Sequence, residues 1–464
     1  MSIAQVSAQV PALAGSPAPP AAILRPGDPG WDVARQAWNL TVDQRPAAVA
    51  LPRTAADVAA AVRYARRSGL RVAAQGTGHN APPLGSLADT LLIKTHQMRG
   101  VTVDPVAWTA RAEAGALWPD VLGAAAAYGL TGLAGSSPGI GVVGYTLGGG
   151  LSWLGRAYGL SASNVEAVEV VTADGRLRRA GPCTEPDLFW ALRGGGGSFG
   201  VVTAMELRLF PVTEVYAGLL WWPMCTAADV LPAWGDLTRS GLPDEFTTCF
   251  RLMRFPALPE IPEPVRGGSF VVVDVIHLGS PAEADQILRP LRKLAPARDT
   301  VGLMPAQALA HLHMDPEQPV PAVGDGFMLA SLPPGATAEL LRAAGPDTAS
   351  RLATVELRHV GGELRRARPG NGALAAIDAE YALVAGGVAP TPAAASSAAL
   401  GVKAVTSALR PWAARQMYLN FAETSRDPAS FWPAEAYARL RQIKRAVDPA
   451  DVIRSNHPVP PALS

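Results

Sequence analysis

The run Gly76-Thr77-Gly78-His79-Asn80-Ala81 sets a histidine inside a glycine turn. Consecutive backbone amides in such a turn form a nest for an anion, and glycine permits the positive φ angles and close ligand approach this requires. With little side-chain packing beside it, the imidazole of His79 is available to a ligand. G-x-G-x-x-A after a strand is also a dinucleotide fingerprint, but that motif needs a helix opening at the loop to face the pyrophosphate. Pro82-Pro83 follows at once, and two prolines without amide donors oppose a helix there. No acidic residue stands about 20 positions on, as the fingerprint also asks; Lys94 and His96 occupy that region.

Two more glycine-rich runs follow, Gly135 to Gly150 and Arg193 to Gly200. The first adds amides and the hydroxyls of Ser136, Ser137 and Thr146. It holds no Walker-type lysine, so a P-loop is excluded. Any one run could be a tight turn; three so close together favour a cradle for a phosphate-bearing ligand.

The elements that must position these loops are legible from periodicity. Ala47 to Leu51 is a short apolar strand. Thr54 with Asp57 makes an N-terminal cap, Val58, Ala61, Val62 and Ala65 repeat at helical spacing, and Arg66 and Arg67 suit the last turn. Leu70 to Ala74 is the next strand, which predicts a parallel pair joined by a right-handed crossover. Strands at 90–94, 100–104 and 108–115, a helix over 117–128, a hairpin over 165–179 and a strand over 201–209 complete the first unit. After Pro211 the strands carry larger residues (215–222, 246–255, 269–278, 327–332, 354–360, 381–388) with helices between them, as in an antiparallel sheet covered on one face. The tail is read as a strand over 417–421 and a helix over 434–446.

At 464 residues two or three units are expected. Lys and Arg total 40 and Asp and Glu 39, which lacks the basic field of a nucleic-acid binder. Cys183, Cys225 and Cys249 are too few and too scattered for a disulfide framework or a zinc cluster, and no metal is expected. Residues 1–20 have no basic segment of a secretory signal, and no apolar run approaches the roughly 18 residues of a membrane span. A flexible leader on a cytoplasmic enzyme, with neither nucleic acid nor membrane as partner, is the expectation.

At this point the residues resemble a family. Arg45-Pro46-Ala47-Ala48-Val49, Pro52 to Val58 and Gly76 to Asn80 are similar to the FAD domain of the vanillyl-alcohol-oxidase superfamily, and most of all to its berberine-bridge-enzyme-like oxidoreductases. Ser137-Pro138-Gly139-Ile140-Gly141 through Gly150 resembles the second flavin loop, and Asp187 to Gly200 the third motif. Tyr418-Leu419-Asn420-Phe421, Tyr437 to Leu440, Lys444, Asp448-Pro449 and Asn456-His457-Pro458 resemble the C-terminal motif that returns to the flavin. The resemblance implies an α+β architecture: a split, two-subdomain PCMH-type FAD domain with an inserted substrate domain. The expected bounds are a leader at 1–30, the FAD domain at 31–211, the substrate domain at 212–414 and the return at 415–464.

The resemblance implies FAD bound through one 8α-histidyl bond from His79. Bicovalent members place a cysteine at the position of Ser137, which cannot form the second link. The cofactor contacts it implies are Gly76, Thr77, Gly78, Asn80, Ser136, Ser137, Gly139, Gly141, Gly144, Tyr145, Gly148, Val202, Tyr418, Asn420 and Asn456. Tyr145 replaces a histidine usual in that loop. The implied reaction moves a hydride from an alcohol, sugar or amine carbon of a small molecule to the flavin, with dioxygen as acceptor; the protein contributes positioning and a base. Tyr381 and Glu380, on a strand that the family places over the flavin, are candidates for that base, and Tyr418 and Asn420, near the ring's other side, are the alternatives. Arg358-His359 is a candidate for the pocket wall. A flavin-fold binding module without activity and a nicotinamide-dependent Rossmann enzyme are the competing readings.

Overall fold

A computed structural model describes residues 22–259 and 261–463. The first sheet contains β1 (Ala22–Leu24), β2 (Ala48–Leu51), β3 (Arg71–Gln75) and β4 (Thr90–Lys94). Residues 22–24, expected in the leader, instead pair with β2; residues 1–21 lie outside the described residues. The helix Ala55–Arg67 is capped as expected: Thr54 accepts from the Asp57 amide, while the Asp57 carboxylate accepts from the Thr54 amide. Val58, Ala61, Val62 and Ala65 are buried on its inner face. β2 and β3 do not pair with each other, however. β4 inserts between them, parallel to both. Its five residues are all buried, as a strand covered on both faces must be.

The second sheet is antiparallel and uses β5 (Val101–Asp104), β6 (Thr109–Glu113), β7 (Val165–Val171), β8 (Leu177–Ala180) and β9 (Val201–Arg208) in the order β5-β6-β9-β7-β8. The predicted 165–179 hairpin is present, and β9 pairs with its inner strand.

The large sheet holds β10 (Glu214–Pro223), β11 (Phe246–Arg254), β12 (Ser269–His277), β13 (Arg298–Asp299), β14 (Gly302–Pro305), β15 (Ala322–Leu329), β16 (Thr354–His359) and β17 (Tyr381–Val388). Its order is β13-β10-β12-β11-β16-β17-β15, with β14 also on β10, and every pairing is antiparallel. Alternation along the strands divides its residues between two faces. Trp222, Phe246, Phe250, Leu357, Tyr381 and Leu383 pack with Val230, Trp234, Leu340 and Val405 of the covering helices. The opposite face, with Ala382 and Met328, packs with Leu151 and Leu160, which follow the second glycine run, and with Tyr418 of the tail.

The tail departs from expectation at 417–421, where Leu419–Phe421 is a single 3-10 turn. Its carbonyls are taken by side chains: Asn80 Nδ2 donates to Leu419 O (3.1 Å) and Ala422 O (3.3 Å). The helix Ala434–Val447 leads to β18 (Ile453–Arg454), which closes the first sheet against β3. Buried Lys444 fixes this return, donating to Asp448 Oδ2 (2.6 Å), Ser198 O (2.9 Å) and Ile453 O (2.9 Å). No helix of the described residues is long and apolar enough to cross a membrane.

Candidate cofactor and active site

The first glycine loop leaves the carboxyl end of β3. Gly78 has φ 89°, and a Cβ there would fall 2.6 Å from Gln75 Nε2 and 2.9 Å from Ala37 Cβ, so only glycine fits. Pro82–Leu84 forms one 3-10 turn, and no α-helix opens at the loop. The His79 ring lies flat on Trp38, with centroids 4.1 Å apart at 19°. Its Nδ1 is 2.7 Å from Thr77 Oγ1, whereas its Nε2 is buried with no partner. Burial pushes the His79 imidazole down to about 4, so near pH 7 it is neutral.

The second loop closes over the first. Cβ atoms added at Gly139 and Gly141 would lie 3.6 Å from His79 Cε1 and 3.7 Å from the Thr77 methyl. Gly141 starts the short helix Val142–Leu147, on which Gly144 faces outward into open space. Tyr145 is buried edge-on to Trp118, its hydroxyl has no partner, and burial holds the phenol well above its ordinary value. Asn420 Nδ2 donates to Tyr145 O at 2.9 Å, which brings the tail to this loop. Gly148 makes room for that amide, since a Cβ there would sit 1.8 Å from Asn420 Oδ1. The Tyr418 hydroxyl stands 3.3 Å from Asn420 Nδ2, and burial raises its pKa. Asn456 Nδ2 reaches Asn80 O at 3.4 Å. Val202 is buried in β9 opposite Val170.

Four buried polar atoms here lack partners: His79 Nε2, Trp38 Nε1, Asn80 Oδ1 and Tyr145 OH. Buried polar groups are otherwise almost always hydrogen-bonded. Orphans gathered beside a glycine cradle fit a polar ring system bound between these loops.

The large sheet supplies the opposite wall through a group of buried charges. Arg251 on β11 grips Asp274 on β12 with two bonds of 2.7 and 2.8 Å, and its third nitrogen donates to His313 O. His313 lies between two carboxylates, with Nδ1 2.9 Å from Asp315 Oδ1 and Nε2 2.9 Å from Glu356 Oε2. Glu356 also takes Arg358 Nε at 2.9 Å. Arg358 sits between the rings of Trp153 and Phe421 and donates Nη2 to Ser136 Oγ at 2.8 Å. Ser136 Oγ in turn reaches Asp315 Oδ2 at 3.1 Å. Asp315 keeps 30% of its side chain exposed. Burial and Arg251 lower the His313 pKa, but Asp315, Glu356 and Asp274 outweigh them and raise it. Burial would raise Asp315; His313 and the two guanidiniums hold it well below the carboxylate range. With His313 protonated, three cations face three anions. The Cys249 Sγ, also buried here and raised by burial, stays a thiol.

Tyr381 does not face this site. Its hydroxyl lies 2.7 Å from Thr238 Oγ1 and its ring packs on Trp234, in the core under the helices. The cause is strand parity: Ala382, not Tyr381, shares the face of Arg358. Glu380 is half-buried at the strand entrance, where its backbone pairs with Leu329 and Val360. Sequence reasoning did not single out Trp38, Arg251, Asp274, His313, Asp315 or Glu356. The spacing Glu-x-Arg at 356–358 is the signal that was present, because alternate residues of a strand share a face.

Comparison with known proteins adds the decisive observation. Residues 46–181 match the family described as an FAD binding domain, and residues 417–460 match the one described as berberine and berberine like. The chain therefore contains an FAD binding domain and a berberine-like C-terminal segment. Among curated relatives, (R)-6-hydroxynicotine oxidase of Paenarthrobacter nicotinovorans is 33% identical over 201 residues, 43% of this chain and 44% of that protein. Glucooligosaccharide oxidase of Sarocladium strictum is 30% identical over 278 residues, 59% and 53% of the two chains. The chain thus spans about half the length of the curated relatives it matches. The fold of the chain is shared throughout with solved structures. For 6-hydroxy-D-nicotine oxidase of Arthrobacter nicotinovorans the TM-score is 0.81 at 24% identity, covering 97% and 100% of the two chains. For the wild-type BBE-like 1 protein of Physcomitrella patens it is 0.81 at 21%, covering 96% and 98%.

Proposed function

We propose that this berberine-like protein is an FAD-dependent oxidase of a small-molecule alcohol, sugar or amine, with FAD joined covalently to His79. The single observation that supports this best is His79 Nε2, a buried neutral imidazole nitrogen without a partner, in a glycine loop of the FAD-binding domain. Its lone pair is free for bond formation while Nδ1 is occupied by Thr77, and Trp38 fixes the ring plane. Ser137, buried in the second loop, offers no thiol for a second bond.

Bound flavin supplies the hydride acceptor, and dioxygen then takes the electrons. The chain's own part is geometric and electrostatic. Gly76 to Gly78 and Gly139 to Gly144 offer backbone amides to the diphosphate. Asn420 and Gly148 hold the second loop against the tail. On the opposite wall Arg358, Asp315 and Ser136 present a fixed donor and a fixed acceptor to a polar substrate, with Trp153 and Phe421 as apolar flanks. The names of the curated relatives include an amine oxidase and a sugar oxidase, which motivates both substrate classes.

The test uses purified holoprotein with secondary alcohols, oligosaccharides and cyclic amines. The expected result is loss of the flavin's visible absorbance under argon, and its return with peroxide on admitting air. A flavin that none of these classes bleaches would favour the binding-module reading.

A further inference from the structure

Lys94 is a buried cation without an anion. Of the four lysines in the chain, Lys94 and Lys444 are buried. Lys444 has Asp448 at 2.6 Å. Lys94 Nζ instead donates to two neutral oxygens, Gln36 O at 2.6 Å and Gln75 Oε1 at 2.8 Å, and among the described residues it forms no ion pair. Burying an ammonium without a counter-charge is costly, so such groups are normally paired.

The position of Lys94 points to what completes it. It ends β4 in register with Gln75, which ends β3, so both stand at the carboxyl ends of parallel strands. Ligands of open α/β sheets bind outside those ends. The Gln75 amide links Lys94 to the first glycine loop. Its Oε1 accepts from Lys94, its Nε2 donates to Gln44 Oε1 at 3.0 Å, and that same Nε2 lies 2.6 Å from where a Gly78 Cβ would be. One amide group therefore separates the ammonium from the turn. Neutral partners hold the cation in place but leave its field uncancelled, and in a poorly polarisable interior that field acts strongly on an anion nearby.

We propose that Lys94 is the buried counter-charge for the diphosphate of FAD in the Gly76–Gly78 turn. The inference rests on the FAD reading and adds to it a determinant of cofactor affinity that lies beneath the loop. Burial alone brings the Lys94 ammonium down to about 8 in the ligand-free chain. An anion above it raises that value, so FAD should bind fully below pH 8 and progressively less tightly above it. The groups that hold Lys94, the Gln36 carbonyl and the Gln75 amide with Gln44 behind it, do not titrate. Burial and Lys94 itself hold His96 below its ordinary value, so it stays neutral across this window.

The experiment measures FAD and riboflavin affinity in the His79→Ala protein, where the cofactor is exchangeable, with and without Lys94→Met. Riboflavin lacks the diphosphate. Lys94→Met is expected to weaken FAD tenfold or more and leave riboflavin unchanged. In the His79→Ala protein alone, FAD affinity should fall by up to roughly tenfold per pH unit above pH 8, the limit for one linked proton. Equal weakening of both ligands, an unchanged FAD affinity, or a flat profile between about pH 7 and 9.5 would each overturn the proposal. Should Lys94→Met fail to fold, the pH profile decides alone. Absence of FAD from the unsubstituted protein would instead overturn the FAD reading itself.

Discussion

Arg358 Nη2 donates to Ser136 Oγ at 2.8 Å, tying β16 of the large sheet to the second glycine run. That bond ties the group of buried charges on the large sheet to the glycine loops beside His79, where the proposed function would bring substrate and flavin together. The charges behind it are stacked in alternating sign: Ser136 and Asp315, then His313, then Glu356 and Arg358, with Arg251 and Asp274 beneath. Such a group is held by its completeness, because removing one member leaves a buried charge unpaired.

Arg251→Met should therefore destabilise the protein by about 3–5 kcal/mol, since Asp274 is wholly buried and would lose the guanidinium it pairs with. Urea unfolding of the two proteins measures this. A loss below about 1 kcal/mol, the range of exposed pairs, would contradict it.

His313 gives this group a pH dependence of definite sign. Its folded pKa is raised above 6.5, so its contribution is complete below pH 6.5 and is lost as pH rises through the folded value. Glu356, lowered to about 2 by Arg358 and His313 against the opposing effect of burial, acts in reverse: its contribution is complete above pH 4.5 and is lost as pH falls. Stability curves of the protein and of His313→Gln should differ in their alkaline limbs, with the variant the flatter. Parallel limbs would show that His313 carries no proton in the folded state.

Gly148→Ala should disturb the junction of loop and tail. The new methyl would meet Asn420 Oδ1 at 1.8 Å and break the bond from Asn420 to Tyr145 O. Overpacking of this kind costs about 1–3 kcal/mol, and thermal melts together with FAD content read it. Gly144→Ala, whose methyl meets nothing within 4 Å, is the control and should leave stability of the cofactor-free protein unchanged.

Tyr381→Phe should lower stability by about 0.5–1.5 kcal/mol through the lost bond to Thr238. Turnover should remain within about twofold, as a ring on the far face of the sheet has no contact with the site. A large fall in kcat at unchanged stability would restore Tyr381 as a base.

What the sequence made legible was local. Thr54 with Asp57, the Pro82-Pro83 break and the alternation of the large strands each follow from neighbours in the chain, and each is present. The insertion of β4 between β2 and β3 was hidden, because the choice of strand order depends on burial of Leu91, Leu92 and Ile93 on both faces rather than on any short pattern. The 417–421 segment reads as a strand by composition, yet Asn80, more than three hundred positions away, captures its carbonyls. The His313 group was hidden for the same reason: its members come from four separate stretches, of which β-pairing of Cys249 with Arg358 and Asp274 joins three while Arg251 holds the fourth through His313 O.

The covalent bond proposed at His79 has a direct measurement. The purified protein is precipitated in acid and the pellet washed. Yellow colour retained in the pellet, and absent from the pellet of His79→Ala, is the expected result. A colourless pellet with all FAD in the supernatant, or a yellow pellet from His79→Ala, would contradict attachment through His79.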